Sequence, residues 1–424
     1  MKRYSEYKDS GVKWIGEIPG HWKIMRLRAY LSMYSEKNHP DKQLLSVTRE
    51  SGVIVRNTES KEENHNYIPD DLSGYKLVRI GDFAINKMKS WQGSYGVSNF
   101  EGIVSPAYYV CKLKFPYKDF FSNAIRCKAY IPFFTQYSKG IRVDQWDLSP
   151  IALKNIPFFE PPLPEQEAIV TYLDSKVAKI DEYISIAEKK IAALEELKQT
   201  IIAEAVTRGI HKDVPMKDSG VKWIGMIPEH WKMKSLRSYV KLYSEKNHPE
   251  KQLLSVTREM GVIVRNTESK EENHNFIPDD LSGYKLVRKG DFVINKMKSW
   301  QGSYGVSKYE GIVSPAYYVC KLKFPYNDFF SIAIRCKSYV PFFTQYSKGI
   351  RVDQWDLSPI ALKNIPFMEP PITEQQEIVT YIEAKAAKID QLCQAERSQI
   401  EKLKEYKQRL ISDVVTGKVK VTND

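Results

Sequence analysis

Two stretches of the chain carry apolar residues spaced alternately four and three positions apart. In the first, Leu173, Val177, Ile180, Ile184, Ala187, Ile191 and Leu194 hold that rhythm. In the second, Ile382, Ala386, Ile389, Cys393, Ile400 and Leu403 keep the same phase, with Glu396 interrupting it. A 3.5-residue repeat sustained over several heptads is the pattern of a coiled-coil seam. It predicts long helices over 164–209 and 373–416. Pro161, Pro162 and Pro164 mark the first start, and Thr373-Glu-Gln-Gln376 reads as a capping box at the second. Gly209 and Gly417 follow the last periodic residues and read as helix stops. Each helix would run ~65 Å at 1.5 Å per residue.

Outside these stretches the apolar runs are short and bounded by turn residues. Gln43–Thr48, Gly52–Val55, Asp82–Asn86 and Ala107–Leu113 read as strands, punctuated at Gly81-Asp82 and Gly102. Phe120–Phe134 predicts a helix with a break at Ile131-Pro132. The pattern is that of an α+β unit with a mixed, twisted sheet.

The whole arrangement occurs twice. Asp9–Gly16 returns as Asp218–Gly225, Trp91–Ser98 as Trp300–Ser307, and 140–147 as 349–356. The offset is constant at about 209 residues, and roughly 85% of positions 8–164 match their partners. This period is far longer than a solenoid repeat. The expected organisation is a globular domain over 1–163, a helix over 164–209, a linker over 210–216, a second globular domain over 217–372, a helix over 373–416 and a tail over 417–424. A lone helix with one apolar stripe cannot stay exposed. If the two pair with each other, the short 210–215 link sends the second helix back antiparallel, giving a dumbbell with approximate two-fold symmetry. The alternative is that each helix packs on its own domain.

Composition narrows the function classes. The chain has 424 residues, 27% charged, a mean hydropathy of −0.45 and a net charge of +12. No run approaches the ~18 apolar residues of a membrane span, and no apolar stretch follows Met1–Glu6, so neither a span nor a signal peptide is expected. The five cysteines form no C-x-x-C, which suits a reducing, cytoplasmic setting. The seven histidines lack metal-ligand spacing, and no cofactor is expected. The two long helices carry about −4 together, so about +16 sits on the globular domains and links. Basic heads on a near-neutral rod fit contact with a polyanion; a merely soluble basic surface fits as well.

Local chemistry favours nucleic acid. The string 86–98 mixes cations, an amide, hydroxyls, aromatics and two glycines, Gly93 and Gly96, that allow close backbone approach. Gln pairs two-point with adenine, and Arg or Lys with guanine. The candidate contacts are Arg49, Lys87, Lys89, Trp91, Gln92, Ser94, Tyr95, Lys139, Arg142 and Gln145. Their second-copy partners are Arg258, Lys296, Lys298, Trp300, Gln301, Ser303, Tyr304, Lys348, Arg351 and Gln354. Any one of them could equally be a surface side chain, and Trp91 and Trp146 could equally be core or rim packing.

Several strings together carry a family resemblance. They are Trp14-Ile-Gly-Glu-Ile-Pro-Gly-His-Trp22, repeated at 223–231, and Gly81-Asp82-Phe83 followed by Asn86-Lys-Met and Trp91-Gln-Gly. Gly102-Ile-Val-Ser-Pro-Ala-Tyr-Tyr109 is another. The last are Ile156-Pro157, Pro161-Pro162-Leu163 with Glu165-Gln166, and Val415-Thr-Gly-Lys418. In this order, doubled and with the paired helices, they resemble the DNA specificity subunit of type I restriction–modification systems over essentially the whole chain. The resemblance implies two target-recognition domains, each reading one half of a bipartite DNA site, with the helices setting the gap. It implies as partners double-stranded DNA, two modification subunits that methylate adenine with S-adenosylmethionine, and ATP-dependent restriction subunits. It implies no chemistry in this chain. Members usually carry two dissimilar recognition domains; here they are near copies, and the strings 85–98 and 132–158 are identical to their partners. Two identical readers related by a two-fold axis imply an interrupted palindrome, whereas a translation would imply a direct repeat.

Catalysis finds no support in the residues. Glu160-Pro-Pro-Leu163 and Glu369-Pro-Pro-Ile372 lack the amide and the aromatic that an amino-methyltransferase needs to hold a flipped base, and no phosphate loop is present. A stand-alone DNA-binding dumbbell or a protein-interaction scaffold remains the alternative.

Overall fold

The computed structural model describes residues 2–57, 68–140, 146–266, 277–349 and 355–422. They fall into two compact units. The first joins Met1–Ala187 to Arg397–Asp424, and the second is Glu188–Glu396.

The first unit opens with strands β1 (Tyr7–Asp9), β2 (Glu17–Pro19), β3 (Lys23–Arg26) and β4 (Leu31–Tyr34). Strands β5 (Leu45–Thr48), β6 (Gly52–Val55), β7 (Lys76–Val78), β8 (Asp82–Asn86), β9 (Tyr95–Val97), β10 (Gly102–Val104) and β11 (Tyr108–Leu113) follow. Next come helices α1 (Lys118–Arg126) and α2 (Ile131–Tyr137), strands β12 (Ser138–Lys139) and β13 (Asp147–Leu148), helix α3 (Pro150–Asn155), strand β14 (Pro157–Glu160) and the long helix α4 (Leu163–Arg208). The central sheet has the order β4-β11-β8-β9 and is antiparallel throughout. Antiparallel pairs β5–β6 and β7–β10 form a second layer, and β14 pairs β3 at the root of α4.

Strand β8 explains the layering. Its side chains alternate between two faces, and both are covered. Phe83 and Ile85 join Tyr95, Cys111, Phe121, Phe134 and Phe158 in the main core. Ala84 joins Leu45, Val47, Val53, Val78, Val104 and Val110 in a smaller core under the second layer. A strand buried on both faces reads as an unbroken apolar run, which is what Phe83-Ala-Ile85 is. The helix expected over Phe120–Phe134 is two helices with Cys127–Tyr130 between them. Pro132 sits in the first turn of α2, where its missing N–H leaves nothing unpaired.

The second unit repeats this plan with a four-stranded sheet of Val240–Tyr243, Tyr317–Leu322, Phe292–Asn295 and Tyr304–Val306. Its helices are α5 (Asn327–Arg335), α6 (Val340–Tyr346), α7 (Pro359–Asn364) and the start of the long α8 (Ile372–Val415).

The long helices run antiparallel. In the second unit, Lys190 pairs with Glu396 at 2.5 Å and Lys198 with Asp390 at 2.7 Å, so one helix ascends as the other descends. In the first unit, Lys407 reaches Asp181 at 2.6 Å. Glu396, which interrupts the heptad pattern, is therefore matched by a lysine rather than buried alone. The seam residues Ile180, Ala187, Ile389, Cys393 and Ile400 are buried.

Thr373-Glu-Gln-Gln376 does not form the expected capping box. Helix α8 already begins at Ile372, and the two middle residues are used elsewhere. Gln375 turns its amide back to the Pro370 carbonyl at 2.8 Å. Glu374 is buried and accepts from Trp231 Nε1 at 3.0 Å and pairs with His230 at 2.8 Å. Glu165 does the same in the first unit with Trp22, His21 and Tyr4. The glycine stops hold, with Gly209 and Gly417 both at φ +76°. At Gly417 a Cβ would stand 2.3 Å from Pro19 and 3.1 Å from Trp22, so only glycine lets the chain close on that indole.

Candidate nucleic-acid interface

Residues 86–96 hold the short loop 87–94 between β8 and β9 together with the strand ends that flank it, stiffened from within. The Asn86 side-chain oxygen accepts from the Met88 and Lys89 amides at 3.2 and 3.3 Å. Ser90–Gln92 make one 3₁₀ turn that ends at Gly93, φ +98°. The Asn86 amide donates to the Ser94 carbonyl at 3.0 Å, closing the loop across its base. Thr135 of α2 donates its hydroxyl to the Trp91 carbonyl at 3.2 Å.

What faces solvent is therefore selected by the backbone. Lys89 and Met88 are exposed, while Lys87, Trp91 and Gln92 are half-buried. Trp91 donates its indole N–H to the Met88 carbonyl and lies 5.4 Å from the Trp146 ring. Lys87 is 3.3 Å from Asp147, and its carbonyl accepts from the Leu148 amide at 3.1 Å, so β13 is tied to the loop. That brings exposed Lys139, paired with Asp147 across the β12–β13 ladder, to the same side. Arg49 is exposed on the β5–β6 turn, and its Cγ lies 4.0 Å from where a Cβ on Gly93 would stand. The second unit gathers Arg258, Lys296, Lys298, Trp300, Gln301 and Lys348 in the same way, with Lys296 3.8 Å from Asp356.

Four candidates do not belong to this surface. Tyr95 and Tyr304 have no exposed area; each ring stacks on a phenylalanine, Phe134 or Phe343, at 3.8 Å. Burial raises both phenols well above the ordinary tyrosine pKa. Ser94 and Ser303 are 4% exposed. Tyr95 and Tyr304 belong to the main cores of their units and support the loop from beneath. Gly96 likewise serves packing: a Cβ there would meet the Gly52 backbone at 3.3 Å, so the close approach is between β9 and β6. Arg142, Gln145, Arg351 and Gln354 lie outside the described residues.

Sequence reasoning missed Arg126. From the end of α1 its guanidinium donates to the carbonyls of Tyr95 (2.6 Å), Glu50 (2.8 Å) and Arg49 (3.1 Å). It thus pins the turn carrying Arg49 to the end of the candidate loop. Burial pulls its pKa below the ordinary value. The guanidinium lies over Gly52, where a Cβ would come within 2.7 Å of it. Arg335 makes the same three bonds in the second unit, to Tyr304, Arg258 and Glu259. Nothing local in the sequence marks either arginine; the only hint is a glycine kept at 52 and 261.

No family model matches the chain. In sequence it is 23% identical over 444 residues to the specificity subunit of the type I restriction enzyme MjaVIII from Methanocaldococcus jannaschii, covering 98% of both chains. In fold it is similar to a chain solved in work on complex assembly and conformational transition of the type I R-M system. That match has TM-score 0.63 and 15% identity, over 94% of this chain and 98% of that one. A looser match, TM-score 0.48 and 15% identity over 97% and 100%, is the HsdS subunit from Thermoanaerobacter tengcongensis. Along 98% of its length the chain is thus similar in sequence to a specificity subunit of a type I restriction enzyme.

Proposed function

We propose that this chain is the DNA sequence-recognition subunit of a type I restriction–modification complex and performs no chemistry itself. The observation that carries this reading is the pair of rigid loops at 86–96 and 295–305. Each presents cations, an amide and a tryptophan pair, and the string 85–98 is identical to its partner. Arg49, Lys87, Lys89, Trp91, Gln92 and Lys139, with their second-copy equivalents, are the contacting side chains. Lysine, arginine and glutamine in such loops read base edges or hold phosphates. The long helices set the gap between the half-sites. Two modification subunits and the restriction subunits supply adenine methylation and ATP-driven cleavage. Identical readers favour an interrupted palindrome as the target.

The test is to map N6-methyladenine by single-molecule sequencing in a host given this chain with its neighbouring modification subunit. A methylated interrupted palindrome that vanishes when this gene is deleted supports the full reading. A direct repeat keeps the recognition role and overturns the palindrome. Absence of any motif overturns the recognition role and favours an interaction scaffold.

A further inference from the structure

The two most exposed large apolar side chains among the described residues occupy one position of the repeat: Ile151 at 74% and Ile360 at 71%. A single exposed isoleucine needs no explanation. The repeat, however, supplies an internal comparison. The next most exposed, Ile80 and Met260 at 69% each, are replaced in the other copy by Lys289 and Ser51. Ile151 and Ile360 are thus the most exposed apolar side chains found in both copies, within the identical string 132–158.

The surroundings are also shared. Ile151 lines a concavity of about 400 Å³ with Gln136, Tyr137, Lys139, Asp147 and Ser149. Ile360 lines one of about 440 Å³ with the equivalent side chains. Asp147 is the residue that pairs with Lys87, so this concavity opens beside the loop already described. One apolar tip among an amide, a phenol, a hydroxyl, a carboxylate and a cation matches the edge of a base pair that offers a methyl group among hydrogen-bond donors and acceptors. In the major groove only thymine presents a methyl, and aliphatic side chains read it by contact.

We infer that Ile151 and Ile360 are specificity-determining residues, each meeting the 5-methyl group of a thymine in its half-site. This rests on the DNA-recognition reading and adds to it one base and its reader.

The experiment uses the full chain assembled with its modification subunits and the methylated target. Each thymine is replaced in turn by uracil, which removes only the methyl, and binding is measured. One thymine per half-site should respond, with binding weakened about fourfold, the worth of one buried methyl. Ile151→Ala with Ile360→Ala should weaken binding to thymine DNA and be indifferent to uracil at those positions. Ile151→Val with Ile360→Val should fall between. Both side chains are surface-borne, and an unchanged melting temperature shows that the fold is intact. A wild-type complex that binds its target but ignores every uracil overturns the inference, as does a target half-site without thymine or an alanine variant that keeps the uracil penalty. Loss of the modification subunits on purification of the alanine variant also overturns it, marking these residues as a protein-docking surface. Failure of the wild-type complex to prefer any DNA sequence overturns the recognition reading as well, and is told apart by that control.

Discussion

Lys89 and Lys298 stand on loops whose own hydrogen bonds leave their ammonium groups exposed, and among the described residues neither has an ion-pair partner. Lys87 and Lys296 face an aspartate instead, so part of their charge is already answered. Lys89→Ala with Lys298→Ala should therefore cost about 1–3 kcal/mol of DNA binding. A loss confined to one base position in a competition assay marks a base contact, whereas a uniform loss with a shallower salt dependence marks a phosphate contact. Unchanged affinity would remove both residues from the interface. Arg126 acts at the same scale but through others. Arg126→Ala strips one donor group from three main-chain carbonyls and should lower stability by about 3 kcal/mol in denaturant unfolding. Arg126→Lys should recover little of it, because a single ammonium lacks the planar fork that spans three acceptors.

The two long helices can be tested as a ruler between the half-sites. A four-residue insertion at Ala192-Ala193 alone would move Lys198 about 6 Å past Asp390 while Lys190 kept Glu396. Matching four residues between Cys393 and Glu396 would restore the register. A complex of the doubly lengthened chain with its modification subunits should then methylate a target whose gap is longer by about two base pairs; an unchanged gap would show that the helices do not measure it. At this scale the sequence is also most readable. The heptad rhythm, the glycine stops at 209 and 417 and the break before Pro132 are local patterns, and each is present as expected. The capping box at Thr373 is absent because the helix already begins at Ile372, which puts Thr373 inside the first turn rather than at the cap. The string 86–98 spans the turn between β8 and β9. Which of its side chains face outward depends on Thr135, Phe134 and Arg126, more than 30 residues downstream, and no periodicity reports that.

Across the whole molecule, chemistry and chain order both leave a signature. All five cysteines are free and buried. Burial raises the thiols of Cys111, Cys127 and Cys320 to about 12 and that of Cys336 to about 11. A group whose folded pKa lies above its unfolded value stabilises the fold below the unfolded pKa and loses that contribution as pH rises through the folded one. Stability should thus decline from about pH 9 towards pH 12, by up to about 1.4 kcal/mol per pH unit for each thiol. Thermal melts under reducing conditions, with Cys111→Ala and Cys320→Ala flattening the slope, would check this; a flat profile in the wild type would refute it. The second unit is one continuous stretch, whereas the first needs residues from both ends. Leu410, Val414, Val415 and Val419 complete the core that holds Tyr4 and Trp22, and Lys420 bonds to the Lys2 carbonyl at 3.0 Å. At about 5–20 residues per second on the ribosome, the roughly 209 residues between Ala187 and Arg397 take some 10–40 s to appear. For that interval the nascent first unit lacks its closing helix, while the later-made second unit needs nothing beyond Glu396. Birth order and completion order are thus reversed, and the unfinished core around Trp22 is where a chaperone or a protease would meet this chain first.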